Sequence, residues 1–485
     1  MSAFWRPLLG ACYLGDRRCR FRVWAPKAER LDLHLVHPRE RRLPMRPQER
    51  GYFKAVLDDV EPGTCYLYRL DDRVERPDPA SRFQPGSVHE PSAVVDPRFP
   101  WTDRAWHGLP LDRLVLYELH VGTFTPEGTF EAVIPRLPQL ADLGITAVEI
   151  MPVAQFAGRR GWGYDGVYPF APQNSYGGPH GLRRLIDACH AHGLAVLLDV
   201  VYNHFGPEGC YLNDFGPYFT DRYRTPWGEA VNLDGPKSDE VRRFLVENAL
   251  YWVHEFHADG LRLDAIHALH DESASPFLME LVRVLERHAV DLNRHVHTIA
   301  ESDLNDVRVI RAPDLGGLGL HAQWADDFHH SLFTLLTREK AGYYRDYGDF
   351  EDLVNAYGQG YTYTGQFSAN RERRHGSLPA HLPGRRFVVC IQNHDQIGNR
   401  KFGERFAALA PFEAQKLAAG TVLLAPFVPM LFMGEEYGET APFQYFVDFA
   451  DPGLAEAVRR GRRAEFAMEG GEEAPDPQDE ATFRR

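Results

Sequence analysis

The run Leu194-Ala195-Val196-Leu197-Leu198-Asp199-Val200-Val201-Tyr202-Asn203-His204 decides the fold. An apolar stretch closed by a carboxylate, with Asn and His directly after it, reads as a buried strand carrying polar groups at its C-terminal end. The flanking segments 181–192 and 238–256 place apolar residues at three-and-four spacing, the second through Val241, Leu245, Ala249, Tyr251, Trp252 and Phe256. These are amphipathic helices. Strands alternating with helices imply parallel βα units.

Working outward, similar short apolar runs occur at 114–121, 147–152, 260–264, 296–301, 387–391 and 430–433. Seven or eight such units over about 350 residues fit a closed (β/α)8 TIM barrel of the α/β class. An open doubly wound sheet is disfavoured because no Gly-rich nucleotide fingerprint follows the first strand. The apolar stretch 417–433 contains Gly420, Thr421, Pro426 and Pro429, and is expected to be a buried helix running into a strand. It is not read as a membrane span.

Before the barrel, Cys19-Arg20-Phe21-Arg22-Val23 and Leu31-Asp32-Leu33-His34-Leu35 alternate apolar and polar residues, the mark of half-buried strands in a small β-sandwich. Proline and polar residues dominate 77–100, which is read as a linker. The expected organisation is an all-β sandwich over 1–95 and a catalytic barrel over 96–485. Rim insertions are expected at 152–180, 205–236 and 340–380.

With 54 basic and 68 acidic residues the net charge is −14, which repels nucleic acid and anionic lipid but not a neutral substrate. Six scattered cysteines without a CxxC pair argue for reduced thiols and against zinc. The apolar stretch before Cys12 is too short for an export signal, so a cytoplasmic location is expected. No metal or cofactor is expected, and oligomeric state is left open.

In a βα barrel every strand C-terminus points to one rim, so residues far apart in sequence converge there. Asp199, Arg262 and Asp264, Glu301 and Asp303, and His394 and Asp395 all close or follow apolar runs. Converging carboxylates with an arginine and two histidines suit glycosidic cleavage, in which one acid attacks and a protonated one donates.

The stretches 199–204, 260–267, 300–303 and 392–395 resemble, in order, the four signature regions of the α-amylase clan of glycoside hydrolases. The resemblance implies that Asp264 is the nucleophile, Glu301 the general acid/base and Asp395 the third carboxylate that holds sugar hydroxyls. It also implies that His204 and His394 donate to those hydroxyls and that Tyr164 is an aromatic platform. Arg262 is expected to pair with Asp264, two residues along the same strand face. Like charges around Glu301 are expected to keep it protonated. Asp199 is expected to brace Arg262.

The segments 162–168, 323–330, 392–400 and 433–437 resemble maltooligosyltrehalose trehalohydrolases, whose family carries out trehalose biosynthesis from glucan. The implied partner is an α-glucan oligosaccharide ending in trehalose, cut at the α-1,4 bond next to that end by a retaining double displacement. Asp326, Gln396, Asn399 and Glu436 are the candidates for contacts on the leaving side. The insertion 343–375 is expected to cover the cleft. The family continues into a closing barrel helix and a further β-domain, so a truncated chain is expected, with 454–466 elaborating the last rim loop. The alternatives are a 1,4-α-glucan branching enzyme and an inactive glucan-binding protein.

Overall fold

The computed structural model describes residues 5–379, 381–467 and 472–485; the start of the acidic stretch 469–480 and position 380 of the 340–380 insertion lie outside these. Two antiparallel sheets form the N-terminal sandwich. One runs Gly10–Gly15, Arg18–Trp24, Tyr52–Leu57, Arg46–Pro47; the other is built on Leu31–His37 and Cys65–Leu70. Phe21, Val23, Leu33, Leu35, Tyr66 and Tyr68 fill the space between them. The strand at 31–37 departs from the half-buried expectation. Asp32 and His34 on its polar face are also buried, covered by Arg30 at 3.1 Å and Glu75 at 3.0 Å.

The linker read at 77–100 is fastened to the sandwich over its first part. Asp78 is fully buried and accepts the hydroxyls of Tyr66 and Tyr68 at 2.7 and 3.1 Å. Ser92–Ala93 adds a short strand to the sheet. A polar segment can be buried in this way because its hydrogen-bonding groups find partners within the protein.

Eight parallel strands then close a barrel: β1 Leu116–Leu119, β2 Ala147–Ile150, β3 Ala195–Val200, β4 Gly260–Leu263, β5 His297–Ala300, β6 Ala322–Trp324, β7 Phe387–Val389 and β8 Val428–Phe432. The seven apolar runs account for all but β6, whose three residues Ala-Gln-Trp carry no apolar period. Along the lumen the packing changes character. Leu116, Ala147, Ala195, Leu197, Ile299, Val388 and Met430 make an apolar plug. Toward the C-terminal ends, Glu118, Glu149, Asp199 and Arg262 replace it, all buried.

The helix Ser238–Glu255 is buried on nearly every face, because the barrel covers one side and the sandwich the other. Leu9 donates its N–H to Glu247 at 2.6 Å, and Tyr52 donates to Glu240. Between β5 and β6 the crossover holds only the short turns Val307–Val309 and Pro313–Leu315. The stretch 417–433 corrects the expectation of a buried helix. Its helix, Phe412–Leu423, buries Ala418 and Val422 but exposes Phe412, Leu417 and Leu423, and only the strand that follows is fully buried. Among the described residues no helix is long and apolar enough to cross a membrane.

Candidate active site

One side chain organises the rim. Arg262 on β4 has no solvent exposure, and its guanidinium holds acids from three strand ends. Nη1 lies 2.7 Å from Asp199 near the C-terminal end of β3 and 3.1 Å from Asp264 after β4, while Nη2 lies 2.9 Å from Glu301 after β5. Its charge centre also stacks 4.3 Å from the Trp324 ring on β6. Burying a cation is costly unless it is paired and bonded, and the planar fork of arginine supplies several donors in fixed directions.

Asp264 is held on both oxygens, since Asn203 Nδ2 donates to Oδ2 at 2.9 Å. The chain then turns at Ala265, a non-glycine residue in the left-handed region (φ 38°), and its N–H donates to Glu301 Oε2 at 2.7 Å. Such a conformation is strained and persists where its surroundings enforce it. Glu301 Oε2 therefore accepts the Ala265 N–H and pairs with the Arg262 charge, which leaves Oε1 as its less engaged oxygen.

Asp395 lies in the short helix His394–Gly398, which Asn393 caps by accepting the N–H of Gln396 at 2.9 Å. Burial raises its proton affinity, His394 at 3.6 Å opposes that, and the charge of Glu301 adds to the rise. Asn399 donates to Asp395 at 3.2 Å. Asp326, at the start of the helix Asp326–Thr337, is pushed up to about 8 by burial and then by Glu301 and Asp395. Arg262 thus brings Asp264 and Glu301 together, and the charges of Glu301 and Asp395 both act on Asp326. Tyr343, from the 343–375 insertion, donates to Gln396 at 3.0 Å, which brings that insertion to the same rim.

Tyr164 donates to Asp199 at 2.6 Å and lies 2.7 Å from His394 Nε2, with the two rings stacked at 5.1 Å. Its position depends on Gly163 (φ +101°), where an added Cβ would lie 2.0 Å from the Pro152 carbonyl oxygen.

Two of the candidate residues are engaged by other partners. His204 has no ring nitrogen turned to the cleft. Nε2 donates to the Tyr164 carbonyl at 3.0 Å, Nδ1 faces Asn203, and burial lowers its pKa to about 4. Glu436 accepts the hydroxyl of Tyr117 at 2.9 Å. Glu118, Asn203 and Trp324 were missed as site residues. For Glu118 the available signal was a lone acid inside the apolar run 114–121. Among the described residues no three His, Cys, Asp or Glu side chains form a metal-binding group.

This architecture, a β-sandwich followed by a barrel with acids on its C-terminal rim, defines an α-amylase-type glycoside hydrolase. Residues 8–83 match carbohydrate-binding module 48 (isoamylase N-terminal domain), and residues 90–224 match the alpha amylase catalytic domain. A Saccharolobus solfataricus protein named malto-oligosyltrehalose trehalohydrolase is 49% identical over 96% of this chain and 80% of its own length. The chain belongs to the malto-oligosyltrehalose trehalohydrolase family. A solved structure described as a putative alpha amylase from Salmonella typhimurium superposes with a TM-score of 0.93 at 43% identity, covering 99% of this chain and 82% of the other. A Streptomyces coelicolor protein named 1,4-alpha-glucan branching enzyme is more distant, at 31% identity over 70% of this chain and 51% of its own.

Proposed function

We propose that the protein hydrolyses the α-1,4-glucosidic bond next to the terminal trehalose of a maltooligosyl-trehalose and releases trehalose. In this reading Asp264 attacks the anomeric carbon while the glycosidic bond breaks, and the proton on Glu301 Oε1 passes to the leaving oxygen. Trehalose departs and leaves a glycosyl ester on Asp264. Glu301 then takes a proton from water, the resulting hydroxide attacks the same carbon, and the Asp264 carboxylate is released. Asp395 holds ring hydroxyls through the oxocarbenium-like transition state.

The observation that carries this reading is the shared guanidinium. Arg262 orients Asp264 and Glu301 together, so nucleophile and acid cannot move independently. On the leaving side, burial and the charges of Glu301 and Asp395 push Asp326 up to about 8, which favours the protonated form that can donate to an uncharged disaccharide, while Asn399 donates to Asp395 and Tyr343 to Gln396. Six free cysteines fit a cytoplasmic location. We divide the chain at about residue 95 into module and catalytic barrel.

Incubation with a trehalose-capped maltooligosaccharide and, separately, with amylose decides between hydrolysis and branching. Trehalose release is expected; new α-1,6 linkages in amylose without trehalose would establish the branching activity instead. Asp264→Asn and Glu301→Gln should each lower kcat by roughly a thousandfold or more with little change in binding, since shape is kept and only charge or proton transfer is removed. Turnover within tenfold of the parent in either variant would overturn the assigned roles.

A further inference from the structure

One layer beneath the rim, two further acids face the lumen. Glu118 on β1 and Glu149 on β2 are paired in register, so their side chains leave neighbouring strands on the same face, and each is 1% exposed. Their surroundings differ. Glu118 accepts the main-chain N–H of His394 at 3.0 Å through Oε2 and the ring Nδ1–H through Oε1. Both oxygens of Glu149 are buried without a hydrogen-bond partner. Two adjacent acids in a dry lumen repel each other when both are charged, and the one without donors is the one that takes a proton. Burial, and then the charge of Glu118, raise the pKa of Glu149 well above the carboxylate range.

The hydrogen-bonding partners of His394 point to its charged form. Tyr164 has a single hydroxyl hydrogen, which goes to Asp199, so it can only accept from His394 Nε2. The same nitrogen lies 3.6 Å from Asp395, and Nδ1 faces Glu118. Each ring nitrogen meets an acceptor, which is the arrangement of an imidazolium. We propose that Glu118 is a positioning residue for the hydrolysis, holding His394 as an imidazolium turned toward Asp395 and Tyr164, while neutral Glu149 keeps the floor of the site at a single negative charge.

The inference rests on the hydrolytic reading above. The groups that act on His394 are Glu118 and Glu149 below, Asp395 and Tyr164 above, and Arg262 and His120 to the side. The rings of Trp162 and Trp324 pack around it at 5.6 and 6.1 Å. Burial works against its charge, and Glu118 followed by Asp395 outweighs it, lifting His394 to about 9. The cation in turn offsets the burial and the Glu301 charge that drive a proton onto Asp395. Without the Glu118 carboxylate, His394 would lose its proton at lower pH and Asp395 would gain one, removing the anion that holds the sugar hydroxyls.

The test uses the full chain labelled with 15N-histidine, with the His394 signal assigned by its absence in His394→Asn. His394 is expected to be doubly protonated through pH 8 in the parent and in Glu149→Gln, and to titrate at least one pH unit lower in Glu118→Gln. In parallel, the alkaline limb of kcat/KM on the trehalose-capped substrate should move down by at least one unit in Glu118→Gln, with a tenfold or greater loss at pH 8. Glu118→Asp should recover part of that loss. A merely structural role would lower activity without moving the limb. A neutral His394 at pH 7 in the parent, or an unmoved titration in Glu118→Gln, overturns the proposal. If Glu118→Gln does not fold, Glu149→Gln and Glu118→Asp carry the test, because a neutral His394 at pH 7 in either has the same consequence. The titration needs no substrate, so it stays readable whether or not trehalose is the product.

Discussion

Arg262 shows how much the site depends on single side chains. A fully buried guanidinium is tolerable because Asp199, Asp264 and Glu301 surround it and Trp324 covers one side. Steric precision matters as much as charge. Gly398 ends the short helix that carries His394 and Asp395, and a Cβ added there would lie 2.0 Å from Trp162 Cζ2. Trp162 packs edge-on against His394. Gly398→Ala should therefore displace Trp162 and the histidine with it, lowering kcat by roughly tenfold and stability by about 1–3 kcal/mol without removing any chemical group. Steady-state kinetics and thermal melting check this; unchanged kcat would mean that the Trp162 contact does not position the catalytic helix.

At the scale of elements, the barrel's two ends divide the labour. The C-terminal rim holds the chemistry, and the N-terminal end holds a buried charge cluster that ties helices together. His190, on the helix Gly178–Ala191, bridges Asp103 at 2.8 Å and Asp259 at 2.9 Å. Asp259 also takes Arg294 at 2.8 Å and the indole N–H of Trp106 at 2.8 Å. Burial opposes the charge on His190, yet the hydrogen bonds to Asp103 and Asp259 raise its pKa above the ordinary histidine value. Burial likewise opposes charge on Asp103 and Asp259, and the His190 hydrogen bond holds both below the ordinary carboxylate range.

The signs follow from linkage. The His190 contribution is complete below about pH 6.5 and is lost as pH rises through its raised folded-state value. The aspartate contributions are complete above about pH 4 and are lost as pH falls toward their lowered values. The cluster thus stabilises most between about pH 4 and 6.5. His190→Gln should destabilise by about 3–5 kcal/mol in that window, and the difference in Tm from the parent should shrink as pH rises beyond it. A Tm difference that is constant from pH 5 to 9 would show that His190 acts there only as a neutral hydrogen-bonding group.

For the whole molecule, the N-terminal module behaves as part of the barrel's core. Arg82 is buried, donates to the Leu9 carbonyl at 3.0 Å and lies 3.6 Å from Glu255 on the barrel helix. Trp24 is 1% exposed and packs edge-on against Tyr218 of the barrel at 5.0 Å. Among the described residues of the module, the exposed large hydrophobics are Leu8, Val36 and Val56, none of them aromatic. The buried contacts of Arg82 and Trp24 fasten the module to the barrel. Arg82→Ala should leave Glu255 short of a partner and lower stability by about 3–5 kcal/mol, with module and barrel still melting in one transition. Two separate transitions by calorimetry would show that the module folds independently.

The amino-acid sequence by itself determined the barrel, because buried parallel strands are apolar runs whose period survives in the linear chain. It also determined the order of Asp264, Glu301 and Asp395 along successive strand ends, since each closes or follows such a run. β6 escaped it, because three residues carry no period, and so did the fastening of 77–100, because polar residues look solvated until their partners are known. Only the tertiary structure decided that one guanidinium gathers three acids, that His204 turns inward, that Glu436 is taken by Tyr117, and that Glu118 lies under His394. Each of these depends on distances between side chains far apart in sequence. Spacing along the chain fixes which strand a residue belongs to, whereas a charge or hydrogen bond acts across the few ångströms that closing the barrel creates.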